Sequence, residues 1–355
     1  MNDEKLPKTM PKIKAKIMSN RKVKNIEDND KNKLFKAVIF FYRCLCFVEN
    51  NKFISKYFLV EKKRAIIITG ATGSGKSDYA IQLAKQENGV IINIDCMQIY
   101  KQIPVLSAQP TEFEKAQVPH FLYGFFDIKN YYKNPYSVGQ YLQDLQKILH
   151  KIEVKMPDKL VILVGGTMMY VDAVLNGLSE VPENDENVRQ AVRNKFQNMP
   201  VEDAFAELLK IDEKYAKMVD KSNKQRILRA LEVVLSTGKS ILDFWEKDDD
   251  KGAIFKDFEV KKYVKQIERD ELYKRIDARF DKMIQFGALE EARALYEFGK
   301  NHNLPKAIGL YELFNYFDGK ISLDVAINEA KKNSRHYAKR QLTWIRNRFN
   351  DFEIL

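Results

Sequence analysis

The sequence predicts an α/β fold in which helices cover a parallel sheet. Three short apolar runs, at 65–69, 90–94 and 160–164, have the length and composition of strands that are buried on both faces. Helical patterns separate these runs, and an alternation of buried strands with helices is typical of parallel sheets. We therefore expect ligands at the carboxyl ends of the strands, where such sheets bind them.

The first apolar run leads into a glycine-rich loop. Its residues are Gly70, Ala71, Thr72, Gly73, Ser74, Gly75, Lys76 and Ser77. The glycines let backbone N–H groups turn onto a phosphate, Lys76 adds a positive charge, and Ser77 offers a hydroxyl to Mg²⁺ at the start of a predicted helix. The loop predicts a P-loop NTPase-like sheet, a site for a polyphosphate or a diphosphate, and Mg²⁺ as cofactor. A chance glycine-rich turn is the alternative.

Polar residues follow the other two runs. Asp95, after the second run, could hold Mg²⁺, accept a proton from a bound nucleophile, or cap a turn. Gln98 could read a nucleobase edge or remain a solvated loop residue. The third run ends in Gly165, Gly166 and Thr167, and Thr167 either contacts substrate or caps the next helix. Because no acidic residue ends this run, the pattern favours a transferase over a motor ATPase.

Helical patterns also define the predicted domains. A capping box formed by Ser137 and Gln140 begins a helix before the third run. We divide the chain into a weakly ordered basic N-terminal extension (1–60), the first part of the core (61–182), a helical insertion domain (183–222), and a core continuation with a basic helical C-terminal region (223–355). Residues 246–252 are expected to form a charged connector.

Most of the net positive charge lies in the first 64 residues. Residues 1–64 hold 17 Lys and Arg residues and 7 Asp and Glu residues, a net charge of +10 out of +11 for the chain. A polyanion site in the remaining residues therefore requires local clustering. The three cysteines show neither a metal-finger spacing nor a disulfide framework, which favours a reducing cytoplasm. The longest apolar run, 37–48, is too short to span a bilayer, so no membrane span is expected.

Two basic clusters are candidates for phosphate binding. Arg226 and Arg229 lie three residues apart on one face of a predicted helix, a spacing that suits phosphate oxygens. Residues 331–348 include seven Lys and Arg residues and no acidic residue, and Tyr337 and Trp344 are interleaved with them. Basic and aromatic residues together are typical of surfaces that bind RNA. For both clusters the alternative is an ordinary solvated helix surface.

In this order, the motifs resemble those of the tRNA dimethylallyltransferases, or tRNA isopentenyltransferases, of the bacterial type. Four stretches carry the resemblance, at 70–77, 95–100, 163–170 and 225–232, and shorter ones lie at 237–239, 307–310 and 338–344. Three positions depart from the family pattern: Ala71 replaces a frequent proline, Cys96 replaces serine or alanine, and Gln109 replaces a frequent lysine. The first two replacements are small residues that leave the chemistry possible, whereas Gln109 would weaken one contact.

The resemblance implies transfer of a dimethylallyl group from dimethylallyl diphosphate to the exocyclic amine of the adenosine 3′ to the anticodon of tRNA. It implies Asp95 as general base, with Thr72 and Arg229 stabilising the departing diphosphate. It also implies a cytoplasmic enzyme, expected to be a monomer, whose partner is the tRNA anticodon stem-loop. The implied RNA contacts are Asp95, Cys96, Met97, Gln98, Thr167, Arg189, Gln225, Arg226, Ile227, Leu228, Arg229, Lys306, Ala307, Ile308, Gly309, Leu310, Tyr311, Lys339, Arg340 and Arg346.

Other functions remain open at this point. A small-molecule kinase with a P-loop would share the phosphate loop but would transfer a phosphoryl group from ATP. A non-catalytic RNA-binding protein would use the basic clusters and not need Asp95. An adenine-nucleotide isopentenyltransferase would share the chemistry, although the helical segment at 186–220 and the basic C-terminal end argue against it, because free nucleotides have less need of an RNA-binding surface.

Overall fold

The structure is a computed structural model that describes residues 63–179, 181, 186–196, 198–245 and 253–355. The predicted extension at 1–60 and the predicted connector at 246–252 lie outside the described residues, so both remain predictions.

Six parallel strands form one sheet in the order β3-β2-β4-β1-β5-β6. The strands are β1 (Lys63–Gly70), β2 (Gly89–Asn93), β3 (His120–Phe121), β4 (Leu160–Val164), β5 (Phe258–Lys265) and β6 (Glu353–Ile354). The three predicted strands are confirmed as β1, β2 and β4. Every residue of β2 and β4 is buried, which explains why both strands are largely apolar; Asn93, at the end of β2, is a buried polar residue.

The strand β5 shows no apolar run in the sequence and was not predicted. This strand pairs with β1 over eight residues, yet it exposes Glu259 and Lys261 to solvent. A strand near the sheet edge that is covered on one side only does not show a continuous apolar run. The three lysines of β5 therefore interrupt the apolar pattern by which a strand is predicted, although β5 extends the sheet beside the phosphate loop.

Helices surround the sheet and form most of the remaining structure. Their bounds are α1 (Lys76–Gln86), α2 (Glu112–Lys115), α3 (Val138–Lys155), α4 (Met168–Asn176), α5 (Glu186–Phe196), α6 (Val201–Ile211), α7 (Glu213–Ala216), α8 (Lys224–Thr237), α9 (Ile241–Trp245), α10 (Arg269–Gln285), α11 (Ala288–Asn301), α12 (Leu310–Phe317) and α13 (Leu323–Arg348). The predicted capping box is confirmed at the start of α3, where Ser137 Oγ accepts the Gln140 N–H at 3.2 Å and Gln140 Oε1 accepts the Ser137 N–H at 2.8 Å.

Separate hydrophobic clusters support the sheet and the insertion. On one face of the sheet, α1 packs against β1 and β4; on the other, α3 contributes the fully buried Tyr141 and Leu145. The helices of the insertion share their own cluster, which includes Phe196 of α5, Ile227 of α8 and Leu242 of α9. Residues on both sides of position 222 therefore share one cluster, which also includes α8 and α9, and the division of the chain into domains stays a prediction.

Three loops lie together at the carboxyl ends of the strands, because β1, β2 and β4 are adjacent and parallel. The loop at 70–77 follows β1, Asp95 follows β2, and the turn at 165–167 follows β4. None of the helices in the described parts of the chain combines the length and apolar character needed to cross a membrane.

Candidate active site

The phosphate loop joins β1 to α1 and leaves backbone donors open. Gly75 has a left-handed conformation, with φ of 82°, immediately before Lys76 begins α1. The Ser74 N–H is used inside the loop, where it donates to the Ala71 carbonyl at 3.1 Å. Within the described residues, the N–H groups of Lys76 and Ser77 donate to no protein acceptor. Open donors at the amino end of a helix form an anion site.

The Lys76 ammonium lies against this loop. Its Nζ donates to the Ala71 carbonyl oxygen at 3.2 Å. Burial lowers the pKa of Lys76 to about 8; Asp95 opposes this change, whereas the positive charge of Arg279 adds to it. A bound phosphate would raise this pKa again, because a nearby negative charge favours the ammonium form.

Asp95 lies just beyond β2 in a tightly held turn. Its N–H donates to Asn93 Oδ1, and its own Oδ1 accepts the Met97 N–H, both at 2.9 Å. Gly165 makes room for this turn, because a Cβ at that position would lie 2.5 Å from the carbonyl carbon of Ile94. No donor among the described residues bonds the second oxygen, Oδ2, so it is available to accept a proton.

Thr167 holds the turn that carries Asp95. It occupies the N-cap position of α4 but makes no capping hydrogen bond. Instead, its Oγ1 accepts the Cys96 N–H at 2.9 Å. Burial and the charge of Asp95 raise the pKa of the Cys96 thiol to about 12, so the thiol stays protonated and does not compete as a base. The capping alternative for Thr167 is therefore wrong, and direct contact with substrate stays a prediction.

Arg279 of α10 is a site residue that sequence analysis missed. Its Nη2 donates to Thr72 Oγ1 in the phosphate loop. Burial lowers the pKa of Arg279, and the negative charge of Asp95 opposes that change. Leu272, Ile276 and Arg279 follow helical spacing, so a charged residue on an apolar helix face was the signal that could have found it.

The loop at 98–109 is held from two sides. Gln98 Nε2 donates to the carbonyl oxygens of Ala108 and Ser107, at 2.6 and 3.1 Å. From α11, the two carboxylate oxygens of Glu291 accept backbone N–H groups at positions 105 and 106, at 2.7 and 2.9 Å. The predicted contact of Gln98 with a base edge stays a prediction; no donor among the described residues bonds its amide oxygen, which could make that contact.

The predicted RNA contacts on α8 lie within the insertion. Gln225 and Arg226 are exposed, whereas Ile227 is fully buried in the insertion core. Arg229 Nη1 lies 3.6 Å from Glu232 Oε2 in an ion pair of the same helix. Since α8 packs chiefly against α5, α6 and α9, the predicted role of Arg229 at the diphosphate stays a prediction.

The remaining predicted contacts before the C-terminal helix differ in exposure. Arg189 on α5 is half-buried, as is Leu228 on α8. In the segment 306–311, Lys306 is exposed, but the side chains of Ala307 and Leu310 are buried. An RNA contact by this segment would therefore involve Lys306, the half-buried Ile308 and Tyr311, or the backbone, which includes Gly309.

The basic C-terminal helix α13 is partly neutralised by α10. Lys331 Nζ lies 2.6 Å from Asp281 Oδ1, and Arg335 pairs with Asp277. Lys339, Arg340 and Arg346 are exposed. The positive charge available to a ligand is therefore concentrated in the second half of the helix, at the residues that the family resemblance selects.

Ser77 fits the role of a Mg²⁺ ligand. Its side chain is exposed at the start of α1, one residue after Lys76, and Mg²⁺ prefers oxygen ligands. No group of three or more His, Cys, Asp or Glu side chains in the described residues could hold a metal ion. A Mg²⁺ ion at this position would therefore need most of its ligands from a diphosphate and water.

The fold and the site define a P-loop protein in which a phosphate loop, an arginine and a carboxylate meet at the carboxyl edge of a parallel sheet. The family model described as IPP transferase matches residues 98–348. The chain is 42% identical over 287 residues to a tRNA dimethylallyltransferase of Bartonella quintana, covering 80% of this chain and 94% of that protein. It is 38% identical over 286 residues to a tRNA dimethylallyltransferase of Ehrlichia canis, covering 80% of this chain and 92% of that protein.

The chain is also similar to solved structures of enzymes that modify tRNA. A full-length tRNA isopentenylpyrophosphate transferase from Bacillus halodurans is 32% identical, with a TM-score of 0.56, and the match covers 83% of this chain and 90% of that one. A eukaryotic dimethylallyltransferase acting on tRNA is 26% identical, with a TM-score of 0.69 and coverage of 82% and 73%. The chain belongs to the tRNA dimethylallyltransferase family.

Proposed function

We propose that the protein transfers the dimethylallyl group of dimethylallyl diphosphate to the exocyclic amine of the adenosine on the 3′ side of the anticodon in tRNA. The observation that carries the proposal is the hydrogen bond from Arg279 to Thr72 in the phosphate loop, close to Asp95: a Cβ on Gly166 would lie 3.5 Å from the Gly70 carbonyl oxygen of that loop and 3.6 Å from Asp95 Oδ2. Donors for a departing diphosphate lie there beside a carboxylate that can accept a proton. This combination is what alkylation of an amine by an allylic diphosphate requires.

In the proposed reaction, the amine nitrogen bonds to C1 of the dimethylallyl group as the bond from C1 to the diphosphate oxygen breaks. The diphosphate leaves with the electron pair of that bond, and Asp95 Oδ2 accepts the proton that the amine loses. Negative charge grows on the departing diphosphate, where the open loop N–H groups, Lys76 and Arg279 stabilise it. Each such donor is typically worth about 10²–10³ in rate.

Mg²⁺ is the proposed cofactor, with Ser77 as its protein ligand. When bound, it would neutralise part of the diphosphate charge. In this scheme Thr72 positions Arg279, because the Thr72 hydroxyl accepts a hydrogen bond from the guanidinium and so keeps it at the phosphate loop.

The RNA must present an unstacked adenosine. A base inside a stacked loop cannot reach Asp95, and extrusion costs about a few kcal/mol. We propose that the exposed side chains of Arg226, Lys339, Arg340 and Arg346 contact phosphates of the anticodon arm and offset that cost. The proposed compartment is the cytoplasm and the proposed state is a monomer, as the family resemblance implies.

The test is an assay with three arms. The purified chain is incubated with radiolabelled dimethylallyl diphosphate and Mg²⁺, and with unmodified tRNA, AMP or no acceptor. The products are then digested to nucleosides, and the masses of the nucleosides are measured. We expect prenylated adenosine only in the tRNA arm. Prenylation of AMP but not of tRNA would support an adenine-nucleotide isopentenyltransferase instead. A separate incubation with radiolabelled ATP tests for a kinase, which phosphoryl transfer without any prenylation would support.

A further inference from the structure

One buried side chain connects the two halves of the site. Gln341 lies on α13 and is only 3% exposed. Its Oε1 accepts the backbone N–H of Thr72 at 2.8 Å, and its Nε2 donates to the Gly166 carbonyl at 2.7 Å. Thr72 belongs to the phosphate loop after β1, whereas Gly166 belongs to the turn after β4. The two bonds thus join a diphosphate element to an element beside Asp95.

The glycine turn transmits position to Asp95 because the two backbones touch. A Cβ on Gly165 would lie 2.9 Å from the Asp95 N atom, and a Cβ on Gly166 would lie 3.6 Å from Asp95 Oδ2. A displacement of this turn would therefore displace the carboxylate. Tyr337, one helical turn before Gln341, adds a weaker bond from its hydroxyl to the same Gly166 carbonyl, at 3.3 Å.

The bridge needs a side chain that both accepts and donates, as the amide of Gln341 does. Thr72 presents a donor and Gly166 presents an acceptor, so the bridging group must accept on one atom and donate on the other. Loss of either bond would leave a buried backbone group without its partner, which destabilises the folded protein. The same bond also uses the Thr72 N–H, so that group does not belong to the open donors of the phosphate loop.

We propose that Gln341 is a positioning residue for catalysis: it sets the distance between the diphosphate subsite and the general base, and so aligns the allylic carbon with the amine. The inference rests on the proposed function. Lys339 and Arg340, which precede Gln341, are exposed on the same helix. The helix that contacts RNA in the proposed function therefore also carries the bridge between the subsites.

The test compares two variants with a control on the same helix. Gln341→Met keeps the length of the side chain but removes the donor and the acceptor. Gln341→Glu keeps an acceptor for the Thr72 N–H but, when ionised, turns a second oxygen toward the Gly166 carbonyl. Thr343→Ala is the control, because Thr343 is exposed and its hydroxyl bonds the carbonyl of Lys339 within the helix, at 3.0 Å.

We expect Gln341→Met to lower kcat about 10- to 100-fold, with KM for each substrate changed less than about threefold, because misplacement of reacting groups lowers rate more than binding. A protonated glutamic acid both donates and accepts, so it reproduces the amide pattern. The kcat of Gln341→Glu relative to the unsubstituted enzyme should therefore rise as the pH is lowered from about 8 to about 6, since burial raises the pKa of a carboxyl group.

The outcomes separate the two proposals. If the unsubstituted enzyme makes no prenylated tRNA, the proposed function fails. If that enzyme is active but Gln341→Met keeps its kcat, or loses activity only in proportion to its unfolded fraction in thermal melting, the positioning role is wrong. If Gln341→Met does not fold, the pH dependence of Gln341→Glu decides, and a ratio that stays constant with pH overturns the inference. A loss of kcat in Thr343→Ala equal to that of Gln341→Met would also overturn it.

Discussion

Replacing Arg279 with alanine should lower kcat by about 10²–10³-fold, or about 3–4 kcal/mol of transition-state stabilisation, the usual effect of losing one donor at a developing oxyanion. The structure supports the full value, because Arg279 bonds Thr72 in the phosphate loop and its pKa is lowered by burial. A partly desolvated guanidinium interacts with a growing negative charge more strongly than a solvated one. Arg279→Lys should recover only part of the rate, since an ammonium lacks the fork of donors.

The same substitution should change the pH dependence of substrate binding. Lys76 has a pKa of about 8, so its ammonium is lost as the pH rises above that value and dimethylallyl diphosphate should bind more weakly. The charge of Arg279 is one cause of the lowered pKa, although burial is the larger one. In Arg279→Ala, the loss of affinity should therefore begin at a higher pH than in the unsubstituted enzyme.

The assay follows transfer of radiolabel from dimethylallyl diphosphate to tRNA under saturating and limiting substrate, between about pH 7 and about pH 10, a range that covers the titration of Lys76. Arg229→Ala is the comparison variant, because the family resemblance assigns the diphosphate role to Arg229. We expect Arg229→Ala to raise KM for tRNA with little change in kcat, since Arg229 pairs with Glu232 in the insertion. A large loss of kcat in Arg229→Ala together with a nearly unchanged Arg279→Ala would refute the reasoning.

Three further predictions concern the base and the loops around it. Asp95→Asn should lower kcat about 10²–10⁴-fold, because an amide cannot accept the proton; tRNA binding measured by filter retention should persist, and its loss would point to a structural role. Gly165→Ala should lower the thermal midpoint as well as kcat, since its Cβ would lie 2.5 Å from the backbone of Ile94; an unchanged midpoint would show that the turn can shift freely. Glu291→Gln should raise KM for tRNA but not for dimethylallyl diphosphate, because an amide nitrogen would face one of the two backbone N–H groups, at 105 and 106, that donate to Glu291. Equal changes in both KM values would contradict a role confined to the loop at 98–109.

Local sequence patterns predicted the central sheet well. The runs that became β2 and β4 are buried along their whole length, so their apolar composition alone identifies them. The capping box at Ser137 was equally readable, because both of its hydrogen bonds join residues three positions apart. In contrast, β5 was missed because its solvent-facing lysines are compatible with a strand only once β1 lies beside it.

Contacts between distant residues were not readable in the same way. The run at 331–348 contains no acidic residue, yet Asp281 and Asp277 of α10 pair with Lys331 and Arg335. The first half of α13 therefore carries less unpaired positive charge than its sequence predicts. Ile227 shows the same difficulty, since it lies beside Arg226 in a motif but its side chain faces the insertion core.

The sequence by itself determined where the candidate anion site lies, since the glycines, Lys76 and Ser77 are contiguous and form it through local backbone geometry at a helix start. Only the tertiary structure decided which groups complete that site. Arg279 is 207 residues from its partner Thr72, and Gln341 is 269 residues from the same residue, so neither contact leaves a local pattern. The physical reason is that backbone conformation depends on neighbouring residues in the chain, whereas the burial and pairing of a side chain depend on which helices pack against the loop.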